Sequence, residues 1–182
     1  DVVLVMIDAT EGVTEQDSKI AGYAHNAGKA SIVVVNKWDL VEKETNTMKN
    51  FKNEILNGLP FMQYAPSEFV SAKTGLRLNK LFELIKFVNA QNAMRIPTGV
   101  LNDVLNDATS MVQPPSDKGR RLKIYYITQA STRPPAFILF VNDKELAHFS
   151  YVRYIENKIR ETFNLNGTPV KFIIRERGEK ND

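Results

Sequence analysis

Two nearly uninterrupted apolar runs rich in β-branched residues, Val2 to Ile7 (VVLVMI) and Ser31 to Val35 (SIVVV), flank a stretch that reads as one helix. Strands that carry apolar side chains on successive positions, instead of alternating them with polar ones, belong to sheets covered on both faces, and those sheets are parallel. Thr14 followed by Asp17 forms a capping box that opens the intervening helix. The helix runs to about Ala27, where Gly28 supplies the residue best able to take the left-handed conformation of a helix stop. The result is a β-α-β unit, whose crossover should be right-handed. A strand of central character preceded only by Asp1 reads as the start of a truncated segment.

The same alternation continues. Met48, Phe51 and Ile55 repeat at helical spacing between Lys43 and Gly58, with Leu59 continuing the stripe. Glu68 to Val70 is a short strand, and Leu78 to Met94 is an amphipathic helix through Leu81, Leu84, Ile85 and Val88. This order predicts an α/β fold with a doubly wound, mainly parallel sheet. Arg95-Ile-Pro-Thr-Gly99 interrupts it: Pro97 disfavours helix for its predecessor and Thr98 can cap a new one. That helix places Leu101, Val104, Leu105, Ala108 and Met111 on one face. A proline-containing loop over 113–119 leads to strands at 121–128 and 136–142. Ser150 is expected to cap a helix with Val152, Ile155, Ile159 and Phe163 inward, before a last strand from Val170 to Arg175. The expected organisation is a partial α/β domain over 1–95 and an α-β-β-α-β domain over 96–182, with 176–182 unstructured and no internal repeat.

Composition narrows the function classes. Cysteine is absent, which removes disulfides and thiolate metal sites. His25 and His148 are too few for a histidine metal site and read as packing or surface residues. No apolar run approaches the roughly 20 residues that span a bilayer, so a cytoplasmic protein without a membrane partner is expected. Asn166-Gly-Thr168 fits the glycosylation pattern but reads as a turn. Residues 1–95 hold 11 Lys+Arg against 11 Asp+Glu, and 96–182 hold 13 against 10, so the net charge of +3 lies in the second part.

The chemistry-bearing segment is Asn36-Lys-Trp-Asp39, directly after the second apolar strand. Ligands of open α/β sheets bind beyond the carboxyl ends of the strands. Guanine presents N1–H and N2–H2 donors side by side, and Asp39 can accept from both in a charge-assisted pair that adenine cannot form. Asn36 offers an amide to the N7/O6 edge and to neighbouring loops, and the methylene stem of Lys37 can lie along the base plane. Trp38, at the variable position, reads as packing. Ser71-Ala-Lys73, followed by Thr74-Gly75, stands about 35 residues further on, at the end of the next strand. There the Ala72 N–H could donate to guanine O6 and the Lys73 stem could cover the ring. Two such motifs at consecutive strand ends point to a guanine site.

NKWD and SAK resemble the fourth and fifth motifs of translation-factor-class GTPases. With DVVLVMIDATEGVTEQD, and with DKGRRLKIYY and PPAFILFVND in the appended domain, the chain resembles the Der (EngA) family over essentially its whole length. Members of that bacterial family carry two GTPase domains in tandem and a KH-like C-terminal domain, and act in assembly of the large ribosomal subunit. The resemblance implies the guanine-recognition half of the second GTPase domain, a C-terminal half of a P-loop GTPase, followed by a KH-like domain. It implies GTP or GDP as the ligand. The implied partners are the large ribosomal subunit and its RNA, and the other GTPase domain of the parent chain.

Other family elements are missing from these residues. A phosphate-cradling GxxxxGK followed by Ser or Thr is not present: Tyr23 stands where Gly28-Lys29 would need a glycine, and Ala30 where it would need a hydroxyl. Asp-x-x-Gly is absent too, since Asp8 is followed by Glu11 and Asp117 by Arg120. Mg²⁺ is therefore expected only in the intact parent, no residue here is assigned a catalytic role, and the segment alone should be inactive. No two glycines are three apart, so the backbone-clamping GXXG of RNA-binding KH domains is missing, which argues against Era-type GTPases, whose KH domain keeps it. Lys118, Arg120, Arg121 and Lys123 are candidate RNA-phosphate contacts or a solvated loop. Tyr125, Tyr126 and Phe140 offer aromatic faces that more often serve packing. The alternative function is an RNA- or ribosome-docking module, or a protein-interaction platform, with a vestigial nucleotide site.

Overall fold

The computed structural model describes residues 1–178, which form two compact units: residues 1–92 with 166–169, and residues 93–165 with 170–178. Among them no helix is long and apolar enough to cross a membrane.

The first unit is built on three parallel strands, β1 (Val2–Asp8), β2 (Ala30–Asn36) and β3 (Ser67–Phe69), in that spatial order. Helix α1 (Glu15–Asn26) opens with the expected capping box, in which Thr14 and Asp17 exchange side-chain-to-backbone bonds, and closes at Gly28 with φ +65°. Helix α2 (Thr47–Gly58) contains the whole expected stripe but begins four residues after Lys43, the bound set for it from the sequence. Residues 44–47 form a turn instead, with the Thr47 hydroxyl bonded to the Glu44 N–H and C=O and Asn46 in the left-handed region. Helix α3 spans Leu78–Asn92.

One face of the sheet carries Val5, Ile7, Val33 and Val35 against Ala21, Trp38, Phe51, Ile55 and Phe69. The other carries Ala30, Ile32 and Val34 with Val70, Leu81 and Val88. Strand β2 is thus covered on both faces, as its sequence demands. Strand β1 is not. Val5 and Ile7 are buried, but Leu4 and Met6 are 37% and 49% exposed. Among the three strands described, β1 is the outermost, and on that face the cluster around α3 reaches only as far as Val2.

Residues 166–169 complete this unit. Gly167 accepts from Ser31 N–H and donates to Tyr64 C=O, each at 2.7 Å, and Thr168 donates to Asn92 Oδ1 at 2.8 Å. Gly167 has φ +76°, and a Cβ there would stand 2.4 Å from a Val88 methyl, so the turn requires glycine.

The second unit runs α4 (Thr98–Met111), a hairpin of β4 (Ser116–Asp117) and β5 (Arg120–Arg121), β6 (Ile124–Ser131), β7 (Ala136–Val141), α5 (Phe149–Phe163) and β8 (Lys171–Glu176). β6 pairs antiparallel and β8 parallel with the central β7. Both helices contribute to one core, in which Leu101, Leu105, Ile127, Phe137, Leu139, Ile155 and Ile159 are sealed. The α-β-β-α-β order is therefore present, with the short hairpin added.

Several local expectations need correction. Thr98 and Ser150 cap nothing: Pro97 and His148 accept the first helical bonds, from Leu101 N–H and Val152 N–H, which places Thr98 and Ser150 inside the first turns. Met111, the last residue of α4, is 73% exposed instead of facing inward. α3 stops at Asn92, not Met94. The buried Gln129 amide accepts from Ile96 N–H and donates to Met94 C=O, which holds the chain extended there. The strand expected at 121–128 is divided. Lys118 and Gly119, at φ +47° and +78°, make a two-residue hairpin turn that pairs Arg120 and Arg121 with 116–117, and β6 starts only at Ile124. β8 extends through Glu176, and the rest of the tail expected to be unstructured beyond 178 lies outside the described residues.

Candidate functional site

The carboxyl ends of β2 and β3 bring the two motifs together. Asn36 is the last residue of β2. Lys37 then turns the chain with φ 61° and ψ 28°, and Trp38–Leu40 form a single 3₁₀ turn. This loop is anchored from below. Trp38 is buried against Phe69, ring centroids 4.5 Å apart, and Phe51, 5.7 Å away, and its N–H donates to Val70 C=O. The packing reading of Trp38 holds: its ring fixes the loop while its neighbours stay at the surface.

After β3 the chain makes a tight turn. Ser71 N–H donates to Leu76 C=O, Gly75 N–H to Ser71 C=O, and Thr74 N–H to the Ser71 hydroxyl. Ser71 is fully buried. Its hydroxyl, having accepted from Thr74, faces the Asp39 carboxylate and holds its pKa below the ordinary 3.8. Lys73 and Lys43 add smaller electrostatic pulls in the same direction. Asn36 Oδ1 accepts from Ala72 N–H at 3.0 Å. The two loops are therefore joined by the Asn36–Ala72 bond, with the Ser71 hydroxyl beside the Asp39 carboxylate. In this arrangement the Ala72 N–H, which the sequence suggested for a ligand carbonyl, is engaged by Asn36.

Sequence reasoning missed one member of the cluster. Asp8 ends β1 as Asn36 ends β2, and the two are register partners. Asp8 Oδ2 lies 2.5 Å from Lys37 Nζ, while Asp8 Oδ1 accepts from Thr10 N–H at 2.9 Å and Thr10 Oγ1 at 2.7 Å. Lys37 and Thr10 together lower the Asp8 pKa to about 2. The signal was available in the parallel β-α-β reading, which sets the ends of β1 and β2 side by side.

The result is a rim of strand ends carrying two ionised carboxylates, Asp8 and Asp39, two lysine stems, Lys37 and Lys73, and the Asn36 amide. Such a rim can accept adjacent N–H donors and cover a flat ring. Among the described residues no group of three His, Cys, Asp or Glu could hold a metal ion. His25 packs against Phe61 and Tyr64.

The basic residues of the second unit are arranged differently. Arg120 pairs with Asp143 at 2.6 Å and lies 3.9 Å from Glu145, and Arg121 donates to the Gln113 side chain. Lys118 sits in the hairpin turn, and Lys123 is exposed beyond it with its N–H bonded to Asn142. Tyr126 stacks on Phe140, centroids 4.3 Å apart, and Arg177 lies over Tyr125. Both tyrosines remain at least 40% exposed, so Tyr126 packs on Phe140, and Tyr125 under Arg177, outside the core.

Known proteins match both units. Residues 1–90 match the elongation factor Tu GTP binding domain, and residues 95–175 match the KH-domain-like region of EngA bacterial GTPase enzymes, C-terminal. The GTPase Der of Acetivibrio thermocellus is 62% identical over 177 residues, covering 97% of this chain and 40% of that protein. The GTPase Der of Ruminiclostridium cellulolyticum is 60% identical over 181 residues, covering 100% of this chain and 41% of that protein. The chain thus spans about two fifths of the length of these relatives. A solved structure of Era in complex with MgGDPNP and nucleotides 1506–1542 of 16S ribosomal RNA aligns loosely, with TM-score 0.42 and 19% identity over 97% of this chain and 66% of that one. With a GTP-binding unit followed by the EngA-specific KH-like unit, and about 60% identity to Der proteins across its length, the chain belongs to the Der (EngA) family of GTPases.

Proposed function

We propose that this segment supplies guanine recognition to a Der-type GTPase that acts in assembly of the large ribosomal subunit. One observation carries the reading: the NKWD and SAK loops meet at adjacent strand ends, joined by the Asn36–Ala72 bond, with the Ser71 hydroxyl beside Asp39. Ionised and oriented before any ligand arrives, Asp39 accepts from guanine N1–H and N2–H2, and that preorganisation favours specificity. The stems of Lys37 and Lys73 cover the ring, and Asn36 shares the Ala72 N–H with the N7/O6 edge. The residues present fit the base of GTP or GDP. They do not fit its phosphates or Mg²⁺, for which residues 1–182 hold neither a GxxxxGK loop nor an Asp-x-x-Gly. Those groups belong to the rest of the parent protein, and this segment alone does not hydrolyse GTP.

Competition of GDP, IDP and ADP against a fluorescent guanine nucleotide on the full-length protein tests this. GDP should win, IDP should lose part of its affinity with the 2-amino group, and ADP should not compete. Equal competition by ADP removes the guanine reading.

A second reading concerns residues 96–182, proposed as the KH-like domain. Exposed Lys118, Arg121 and Lys123 near the Tyr126–Phe140 stack support backbone-directed contact with ribosomal RNA. A platform for the parent's other GTPase domain is the rival. RNA binding by the full-length protein, compared with docking of that domain in the same Arg121 and Lys123 variants, separates the two.

A further inference from the structure

Lys37 is tethered. Its backbone takes the left-handed conformation at φ 61°, and the far end of its side chain meets Asp8 at 2.5 Å. Asp8 cannot swing away freely. Thr10 holds its Oδ1 through two hydrogen bonds, which turns Oδ2 toward the ammonium. The parallel register of β1 and β2 sets Asp8 beside Asn36, one residue before the lysine it holds. The intervening loop is braced as well: Gly12 N–H donates to Asp8 C=O, and Glu54 from α2 accepts from Val13 N–H. With both ends of the lysine stem fixed, the ordering cost falls on folding and not on ligand binding. The carboxyl of Asp8, lowered to about 2, stays ionised at every physiological pH.

We infer that Asp8 is a positioning residue of the base site, holding the Lys37 stem where it covers the guanine ring. The inference rests on the guanine-site reading above. Nucleotide affinity is then set by the end of β1 as well as by the two motif loops. Because Lys37 is 52% and Asp8 23% exposed, the tether is open to screening by salt.

Asp8→Asn in the full-length protein is the informative variant. Asparagine keeps an Oδ1 for Thr10 and replaces the oxygen facing Lys37 with an amide that cannot pair with an ammonium. Titration with N-methylanthraniloyl-GDP should show affinity weakened about two- to fivefold, the range of a partly exposed ion pair. The difference from wild type should shrink between about 0.05 M and about 0.5 M salt. In a Lys37→Met background, which keeps an apolar stem without the charge, Asp8→Asn should add nothing. Unchanged affinity in Asp8→Asn, or an equal loss in both backgrounds, overturns the inference; the second result would assign Asp8 to its own loop. Should Asp8→Asn fail to fold, wild type against Lys37→Met over the same salt series decides. The tether requires an advantage lost at high salt, and a salt-independent difference overturns it. Failure of the wild type to prefer the guanine probe over N-methylanthraniloyl-ADP would instead overturn the guanine-site reading itself.

Discussion

The two units use their polar residues in opposite ways. In the first, a parallel sheet delivers three strand ends to one rim, and the polar residues there act on one another across long sequence separations: Asp8 pairs with Lys37, Asn36 accepts from Ala72, and Ser71 lowers the pKa of Asp39. In the second, the basic residues fall on a hairpin and its flanks, where Arg120 is neutralised by Asp143 and Glu145 and Arg121 turns to Gln113. Parallel topology concentrates chemistry because every strand points its carboxyl end the same way. A mixed sheet has no such common end, and its cations pair singly with side chains around the hairpin. The difference teaches that a site is recognisable where groups orient one another, and not where charge merely accumulates.

The largest expected effect tests the locked rim. Asp39→Asn in the full-length protein should weaken GTP binding about a thousandfold, because two charge-assisted bonds are lost together. Xanthosine triphosphate, whose C2 carbonyl can accept from the new amide, should bind better than to wild type. Unchanged guanine preference in a GTP, ATP and XTP competition would take Asp39 out of the site.

Ser71→Ala touches no ligand and should still cost about tenfold in GDP affinity, since it releases both Asp39 and the Thr74 turn. An affinity within a factor of two of wild type would mean that the rim is not preorganised by Ser71. For the second unit, reversing charge at Arg121 and Lys123 should weaken binding to unrelated RNAs alike, by several-fold, and should lower the salt slope by about one for each phosphate no longer neutralised. Substituting Arg120 should instead appear as a small loss of stability, below about 1 kcal/mol, because its charge is already paired at the surface. If Arg120 controls RNA affinity more than Arg121 does, the picture of a neutralised hairpin breaks.

The smallest effect is a pH response that should be absent. The Ser71 hydroxyl lowers the Asp39 pKa below its ordinary 3.8. Its contribution is therefore complete above the ordinary value and is lost only as pH falls through the lowered one. GDP affinity should stay flat from about pH 8 to about pH 5. A step assigned to Asp39 inside that window, after the nucleotide's own phosphate ionisation is accounted for, would show its carboxyl raised instead of lowered.

Much of the fold was legible because local chemistry and tertiary packing agreed. The Thr14–Asp17 box and Gly28 start and stop α1 where they should, since these signals depend only on nearby backbone groups. The caps assigned to Thr98 and Ser150 failed for a related reason. Pro97 and His148 had already taken extended backbone angles, so the first turns closed before either hydroxyl could serve. The division of the strand at 121–128 was hidden in Lys118-Gly119, a two-residue turn that needs positive φ at both positions and offers glycine at only one.

By itself the sequence determined the α/β class, the βαβ core and the residue types at the ends of β2 and β3, because apolar periodicity and motif spacing are written along the chain. Tertiary structure decided the rest. It demanded glycine at position 167 because Val88 lies beneath it, and engaged the Ala72 N–H with Asn36. It also recruited Asp8, which shares no local pattern with NKWD and meets Lys37 only because parallel pairing sets the end of β1 beside the end of β2. Contacts between residues tens of positions apart depend on register and on what covers each face, and neither is encoded in any single stretch of sequence.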